Sequence, residues 1–549
     1  MSDILSRLHA LVDAYPTLVR VVIAAVVARV VYARFFTVKG SLGRMRGPKF
    51  QSLLRGTPDR TIVSCTLEWQ KIYGRTFKVH HHFLTPQLFT TDLTALHHVI
   101  SRDDIYQKAA PIRWGLTQLL GRGLLALEGE EHARLRKIMS PAFSPSQIRL
   151  LVPLFFDKSL ELVSFWSALP TSSSSKEGWI ETDVLKGLRG VTLDIIGLAG
   201  FGYDFRALQG GGQTTLGKAF YQMFQSPKAR NVTPWTFLRA RFPVLRLLFP
   251  QKRVNESRQA MELIGMELLQ DAKNAYSDAE NDSAGADGSA ARRDLLSLLV
   301  QSNLAEDESA RLADDVVVAQ IPTFFIAGHE TTSTAVSWAL YALASYPDVQ
   351  RTLRAELNTL GTDQPTFEAL NALTYLDAVV RESMRLFSAV AFTNRVAVED
   401  DVVPLAKGHE WVDQDGKLWD SILVKKGQMI YVPVAAVNRD REIWGEDADE
   451  FRPERWTTIP AGANAIPGVY SHLFTFLGGP HNCIGWRFSV AETKSLIFTL
   501  IRAFEFALPE GMTPDDVVRA SNAAVQRPVL KGREKEGNQL PMRMRRVRE

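Results

Sequence analysis

One cysteine stands in a loop whose composition suits a metal-binding thiolate. The stretch Phe476–Gly485 reads Phe-Leu-Gly-Gly-Pro-His-Asn-Cys-Ile-Gly, with Cys483 near its end. Glycines let a backbone approach a flat ligand closely and aim N–H groups at a sulfur, and the apolar sequence that follows would shield the negative charge. An iron-binding thiolate needs this combination. A buried cysteine near glycines also serves as a small apolar side chain, so the loop alone leaves both interpretations open.

A second candidate site lies inside a long apolar segment. The pattern from Asp315 to Ser345 predicts a helix roughly 45 Å long, capped by one of the aspartates at its start and ended by Pro347. Its middle reads Ala327-Gly-His-Glu-Thr-Thr-Ser-Thr334. Hydroxyl side chains can bond to carbonyls one turn earlier, but this does not explain the charge of Glu330. We therefore expect a local distortion of the helix, with an acid and a hydroxyl facing a pocket.

Two further motifs place charged residues where they could form one cluster. Glu382 and Arg385 are three residues apart on a predicted helix, and such a pair needs further partners if it is buried. The later segment Phe451–Trp456 supplies Arg455 as a third charge. Elsewhere, His132 and Arg136 are four residues apart and share one helical face.

The remaining patterns predict a mainly α protein with a small β subdomain, an α+β fold. Helical patterns dominate from about Arg60 onward. Two β-like stretches, Thr76–Val79 and Gln87–Thr91, predict a minor sheet. Ile422–Val424 and Met429–Val432 flank a Lys-Gly turn and predict a hairpin.

Composition excludes several classes of protein. The chain has 549 residues, of which 46% are hydrophobic and 23% charged, which is typical of a globular protein with a large core. A net charge of +4 is too small to indicate a nucleic-acid partner. Only two cysteines are present, Cys65 and Cys483, so a disulfide scaffold is excluded and a reducing compartment is favoured.

The N-terminal region resembles a membrane anchor. The segment Leu18–Phe36 is apolar but contains three arginines, of which Arg29 lies near mid-depth. We expect residues 1–38 to form the anchor, 39–60 a hinge containing Gly and Pro, and 61–549 the main domain. Basic residues after the segment would keep that domain on the cytosolic side. An amphipathic surface helix is the alternative interpretation.

The motifs, in this order, resemble those of the cytochrome P-450 family of haem-thiolate monooxygenases, in particular microsomal and fungal members. The family's loop Phe-x-x-Gly-x-Arg-x-Cys-x-Gly, its oxygen-activation run Ala-Gly-x-Asp/Glu-Thr-Thr, its Glu-x-x-Arg pair and its Pro-Glu-Arg-aromatic loop correspond here to Phe476–Gly485, Ala327–Thr332, Glu382 with Arg385, and Pro453–Trp456. The resemblance implies the cytochrome P-450 fold, with a long central helix over the haem and residues 61–549 as the haem-thiolate monooxygenase domain.

The resemblance also implies roles for individual residues. Cys483 would be the proximal ligand of haem b, the metal-binding residue of the chain, and its thiolate would favour O–O cleavage. Thr331 and Glu330 would deliver protons to the distal oxygen. The residues implied to contact the haem are Cys483, His481, Arg395, Arg136, His132, Phe476 and Gly328, the last of which would open the central helix beside the haem.

Two positions depart from the family pattern. His481 replaces the commoner arginine of the cysteine loop, and His132 stands where a tryptophan often begins a Trp-x-x-x-Arg motif. Both positions contact haem propionates in the family. An imidazole donates a hydrogen bond but carries a full charge only below about pH 6.5. Haem binding is therefore expected to rely on Arg136 and Arg395.

By this resemblance the expected activity is insertion of one oxygen atom from O2 into a lipophilic small molecule. The 66 residues after Cys483 leave no room for a fused flavin reductase. We expect electrons from NADPH through a separate cytochrome P-450 reductase, with cytochrome b5 as a further donor, docking on a basic face near the cysteine loop. Three apolar segments, 112–120, 201–249 and 390–393, favour a terpenoid, fatty-acid or polyketide-like substrate of fungal secondary metabolism. The expected location is the endoplasmic reticulum membrane.

Two other functions remain as alternatives. One is a haem-thiolate isomerase or dehydratase that acts on peroxides without a reductase. The other is a non-catalytic haem carrier or sensor. Glu330 and Thr331, as a proton-delivery pair, argue against both.

Overall fold

The computed structural model describes most of the chain. The described residues are 40–51, 56–57, 63–81, 85–171, 178–210, 259, 261–263, 265–275, 294–305, 311–520 and 525–547. The predicted anchor at 1–38 lies outside them, as does most of the predicted substrate segment 201–249. The predicted hinge at 39–60 is described only in part. Among the described residues, no helix combines the length and apolar character that crossing a membrane requires.

Helices dominate the described residues, as the sequence predicted. In chain order they are α1 Ser41–Arg44, α2 Val63–Tyr73, α3 Leu93–Ser101, α4 Ala110–Leu120, α5 Gly129–Met139, α6 Pro145–Ser167, α7 Val184–Phe201, α8 Ala207–Gly210, α9 Leu295–Asn303, α10 Asp314–Ser345, α11 Pro347–Asn358, α12 Phe367–Ala372, α13 Thr374–Leu386, α14 Val434–Val437, α15 Arg441–Trp444 and α16 Trp486–Ala503. Short 3₁₀ segments include Ser140–Phe143 and Pro453–Thr457.

The strands are short. They are β1 Thr76–His80, β2 Pro86–Thr90, β3 Tyr106–Gln107, β4 Ile180–Asp183, β5 Thr393–Ala397, β6 Asp401–Pro404, β7 Trp411–Val412, β8 Leu418–Trp419, β9 Ser421–Val424, β10 Met429–Val432, β11 Phe504–Ala507, β12 Val517–Arg519, β13 Pro528–Leu530 and β14 Pro541–Arg546.

The chain divides into two compact units. The first contains the described residues up to His98 together with Val396–Val432. In it β1 and β2 pair antiparallel, with Phe77 opposite Phe89, and β10 joins β2 in parallel. The predicted minor sheet is therefore confirmed.

The predicted hairpin between residues 422–424 and 429–432 is wrong. Both strands exist, but β9 pairs antiparallel with β6, whereas β10 pairs with β2. Their burial patterns explain the difference. Exposed Leu423 lies between two buried residues of β9, which suits a two-stranded ribbon, whereas Ile430, Tyr431 and Val432 of β10 are all buried.

The second unit contains Val99–Arg395 and Pro433 to the C-terminal end, and α10 is its central helix. This helix packs against α7, α13 and α16, while α16 also packs against α6. Most of its side chains are buried, including Trp338 and Phe325. Strands β11, β14 and β4 form an antiparallel sheet in the same unit.

The predicted long helix is confirmed, but two of its predicted details are wrong. It begins at Asp314, and no side chain caps it. Asp314 and Asp315 lie inside its first turn instead, where negative charges are favourable. The Asp314 carboxylate accepts from Lys273 Nζ at 2.9 Å and Asn303 Nδ2 at 2.7 Å. The expected distortion is absent, because all residues from 314 to 345 are α-helical.

Candidate active site

The cysteine loop is a tight turn fixed by backbone hydrogen bonds. The N–H of Cys483 donates to the carbonyl of Phe476 at 2.9 Å. Gly479 has φ of +68°, and a Cβ there would lie 2.1 Å from the carbonyl oxygen of Ile100. A Cβ at Gly478 would lie 1.8 Å from the carbonyl oxygen of Pro467. These two glycines are therefore required by packing against neighbouring backbone, a reason that the sequence did not reveal.

Cys483 lines a cavity. The residue is solvent-accessible, although protein atoms surround it closely, and the cavity of about 370 Å³ is also lined by Arg136, Phe143 and Trp486. Burial raises the pKa of the Cys483 thiol, while a hydrogen bond from the Gly485 amide and the charge of Arg136 act in the opposite direction. The two lowering influences favour a thiolate, the form that binds a metal.

The Arg136 guanidinium is hydrogen-bonded to Asn482, the residue before the cysteine. Its guanidinium donates to the Asn482 carbonyl at 2.7 Å and to Asn482 Oδ1 at 2.6 Å. His132, one turn earlier on α5, is buried and its ring stacks on that of His481 at 3.9 Å and 26°. The predicted shared face of His132 and Arg136 is thus confirmed, and both residues contact the cysteine loop.

Two residues of this site were missed from the sequence. Lys108 Nζ lies 3.1 Å from Glu128 Oε1 and 3.2 Å from His481 Nδ1. Glu128 Oε2 lies 2.9 Å from His481 Nε2, so the same carboxylate faces both residues. No signal in the sequence points to this cluster, because Lys108 and His481 are 373 positions apart.

Electrostatic effects within the cluster are strong. Burial alone would raise the pKa of Glu128, but His481 and Lys108 outweigh it and lower that pKa to about 2. Burial, assisted by the nearby positive charges, lowers the pKa of His132 to about 3. Burial also lowers the pKa of Lys108, against the attraction of Glu128.

The residues around the cysteine loop fit a haem. His132 Nδ1 is buried beside it without a hydrogen-bond partner. Buried Arg395 is held by the Thr393 hydroxyl and Asn394 carbonyl, each at 3.0 Å, and its charge interacts with that of Glu128. Cationic and unpartnered donor groups close to a cysteine suit a metal-bearing group with carboxylates on its rim.

The polar run of α10 separates into exposed and buried parts. Thr331 is partly accessible and its hydroxyl donates to the Ala327 carbonyl at 2.7 Å, whereas Thr332, Ser333 and Thr334 are buried. Ser333 and Thr334 both donate back to the Glu330 carbonyl. Back-bonding therefore accounts for the hydroxyls of Thr331, Ser333 and Thr334, as the sequence allowed, whereas the Thr332 hydroxyl lies 3.2 Å from that of Ser489.

Glu330 and Gly328 have partners that the sequence did not identify. The buried carboxylate of Glu330 is ion-paired with Arg527 and, at 3.5 Å, with Arg189. A Cβ at Gly328 would lie 2.7 Å from Ile196 Cγ1 of α7, so close helix packing explains this glycine. The roles of both residues beside a haem stay predictions.

The predicted charge cluster is confirmed. Arg385 and Glu382 are fully buried and share two hydrogen bonds, at 2.8 and 2.9 Å. Arg385 also donates to the carbonyls of Asn438, Ala448 and Glu450. Arg455 approaches Glu382 at 3.4 Å. This network joins α13 to the segment that contains Pro453–Thr457, which is a structural role.

Comparisons with known proteins agree with this site. The family model described as Cytochrome P450 matches residues 43–531. Cytochrome P450 monooxygenase 128 of Postia placenta is 42% identical over 89% of this chain and 88% of its own length. Cytochrome P450 monooxygenase 205 of the same fungus is 44% identical over 86% of both chains. Cytochrome P450 monooxygenase claP of Ampulloclitocybe clavipes is 35% identical over 93% of this chain and 94% of its own.

These matches extend across both compact units, and the mainly α fold with small sheets is that of the family. The cysteine loop, the long central helix and the buried Glu382–Arg385 pair all lie within the matched residues. The chain therefore belongs to the cytochrome P450 family and is a monooxygenase with a cysteine-ligated haem b.

Proposed function

We propose that this monooxygenase inserts one oxygen atom from O2 into a lipophilic small molecule, with Cys483 as the haem ligand. One observation carries the proposal: Cys483 lines a cavity just before the N-terminus of α16, with Arg136 hydrogen-bonded to the adjacent Asn482. The helix dipole and the guanidinium both favour negative charge on that sulfur. The other cysteine, Cys65, lies within α2 and has no glycine-rich loop around it.

The haem, when bound, supplies the iron that activates dioxygen. The protein's part is to hold the thiolate, bind the propionates and move protons. Thr331 is the accessible hydroxyl among residues 331–334, which supports a role in proton transfer. The carboxylate of Glu330 is already bound by Arg189 and Arg527, so proton transfer through Glu330 requires it to exchange one of these partners.

Electrons are proposed to come from NADPH through a separate cytochrome P-450 reductase, with cytochrome b5 as a second donor. Basic side chains near the cysteine loop support this. Arg136 and Arg487 line the cavity beside Cys483, and Arg134 and Lys137 are exposed on α5. A basic surface attracts an acidic electron-transfer protein and accelerates its encounter.

The proposed substrate is a terpenoid, fatty-acid or polyketide-like compound of fungal secondary metabolism. The apolar sequence of α4, which includes Ile112, and of Val390–Thr393 supports a lipophilic ligand. The proposed location is the endoplasmic reticulum membrane, with residues 1–38 as the anchor and the catalytic domain facing the cytosol. The apolar segment Leu18–Phe36 and the basic residues after it support this orientation.

Turnover with labelled dioxygen tests the reaction. The purified protein is combined with the reductase and NADPH, and lipophilic compounds that change the haem spectrum are selected as substrates. We expect product that contains one labelled oxygen atom and depends on NADPH. Product from a peroxide alone, without dioxygen or reductase, would instead support an isomerase or dehydratase. Haem binding without turnover of any such compound would support a carrier or sensor.

Two alanine variants test the ligand. We expect Cys483→Ala to lose the thiolate-type spectrum of the reduced carbonyl complex. Cys65→Ala is the matched control and should keep that spectrum. If Cys483→Ala keeps it, Cys483 is not the ligand.

A further inference from the structure

The polar run of α10 contains a fully buried histidine next to Glu330. This residue, His329, occupies the position that the family motif Ala-Gly-x-Asp/Glu-Thr-Thr leaves undefined. Its Nδ1 lies 2.7 Å from the carbonyl oxygen of Phe325, one helical turn earlier. A carbonyl oxygen can only accept a hydrogen bond, so Nδ1 carries a proton and is the donor in this contact.

The imidazole of His329 is neutral, which makes its other nitrogen an acceptor. Burial lowers the pKa of His329 to about 3, although the bond to the Phe325 carbonyl opposes this effect. The nearby charges of Arg189 and Arg527 lower that pKa further. At neutral pH the ring therefore carries one proton, on Nδ1, and a lone pair on Nε2.

This acceptor lies beside the carboxylate of Glu330, whose two oxygens have different partners. Arg527 is ion-paired with Oε2. Oε1 is approached by Arg189 Nη2 at 3.5 Å and by His329 Nε2 at 4.0 Å. The Arg189 contact is longer than a strong hydrogen bond, so Arg189 is the partner that Glu330 exchanges more readily. A guanidinium N–H that leaves Oε1 then has Nε2 as a neighbouring acceptor.

A neighbouring acceptor matters because the exchange takes place in a buried region. Proton transfer through Glu330 requires its carboxylate to exchange one of its arginine partners. The side chain of Arg189 is 14% exposed, so little water is available to solvate an N–H that leaves the carboxylate. A buried donor without an acceptor is costly. A neutral imidazole nitrogen lowers this cost, and it binds the guanidinium less strongly than a carboxylate does, so the exchange stays reversible.

We propose that His329 is a positioning residue for proton transfer: its Nε2 accepts an N–H of Arg189 when Glu330 exchanges this partner, and the freed carboxylate oxygen then serves Thr331. One hydrogen bond replaces another, and no proton moves to or from His329. The inference rests on the proton-transfer role proposed for Glu330 and Thr331.

A crystal structure of the Glu330→Ala holoprotein tests the contact without a substrate. The variant removes the carboxylate and leaves both arginines in place. We expect the Arg189 guanidinium to lie within about 3.2 Å of His329 Nε2. A guanidinium that turns to solvent or to another acceptor would overturn the proposal.

The coupling of NADPH oxidation to product formation tests the role in the reaction. The probe is a lipophilic compound that the parental enzyme converts to labelled product. We expect His329→Phe to form about 10-fold less product per NADPH oxidised, because Arg189 loses its alternative acceptor. His329→Gln, whose amide oxygen can accept, should keep most of the parental coupling. The matched control is Ser337→Ala, since Ser337 is also buried on α10 and also bonds to the carbonyl four residues earlier. It should leave the coupling unchanged.

Removing Arg189 separates this role from a general disturbance of the helix. Adding Arg189→Met to His329→Phe removes the guanidinium that needs an acceptor, so the coupling should rise again toward the parental value. Parental coupling of His329→Phe, or no recovery in the double variant, would contradict the proposal. If His329→Phe is purified without haem, the smaller His329→Leu replaces it in both measurements. If the parental enzyme turns over no compound, the proposed function fails, whereas the Glu330→Ala structure still decides the contact between Arg189 and His329.

Discussion

Replacing Glu492 by glutamine should raise the free energy of unfolding relative to that of the parent protein, and this difference should grow as the pH rises. Glu492 lies on α16, its side chain is fully buried, and neither carboxylate oxygen has a hydrogen-bond partner. Burial raises its pKa well above the ordinary value of 4.5, and the neighbouring Thr332 hydroxyl opposes this only weakly. The folded protein therefore holds a neutral carboxylic acid in its core.

The sign of the effect follows from proton linkage. In the unfolded chain Glu492 loses its proton above about pH 4.5, whereas in the folded protein it keeps it. The unfolded state thus binds fewer protons, and the free energy of unfolding decreases by about 1.4 kcal/mol per pH unit until the pH reaches the folded pKa. Glutamine cannot ionise in either state. Any cost of burying its amide is the same at every pH and does not alter this slope.

Urea unfolding of the holoprotein, followed by tryptophan fluorescence at several pH values between 5 and 8, measures the slope. The difference in stability between Glu492→Gln and the parent should grow with pH by about 1.4 kcal/mol per unit, through the range in which the folded carboxyl stays protonated. Glu446→Gln is the matched control, because the Glu446 side chain is 91% exposed. Its stability difference from the parent should not change with pH.

The reasoning fails if the Glu492→Gln difference is independent of pH, or if the parent becomes the more stable protein as the pH rises. Either result would mean that Glu492 is ionised in the folded protein and is compensated by contacts that the structure lacks.

Three further predictions concern the active site and its support. Thr331→Ala should consume NADPH and O2 with little product, because its hydroxyl no longer serves proton transfer; unchanged coupling would contradict this. Arg385→Leu should lower the free energy of unfolding by about 3–5 kcal/mol, since Glu382 loses a buried partner; a parental urea midpoint would refute the expected loss. Glu128→Gln should cost roughly 3 kcal/mol at neutral pH, and the difference should disappear as the pH falls from 4.5 to about 2, where the parent's carboxylate also becomes protonated. A difference that persists at low pH would argue against that shift.

The success of the sequence predictions depended on how local each feature is. The helix around Ala327–Thr334, the Glu382–Arg385 pair and the strands at 76–80 and 86–90 were found because their patterns repeat within a few residues. The hairpin at 422–432 failed because each strand found a better partner far away in the chain. The helix distortion failed because Glu330 is neutralised by Arg189 and Arg527, which lie on other segments.

The cysteine loop shows the same division most clearly. The sequence by itself determined that Cys483 sits in a glycine-rich turn before a helix, and that His481 departs from the family pattern, because these are facts about adjacent residues. Only the tertiary structure decided that Gly478 and Gly479 are needed for contact with other backbone, and that Lys108 and Glu128 lie beside His481. Lys108 and His481 are 373 positions apart, so their contact depends on the whole fold and cannot be predicted from the loop motif.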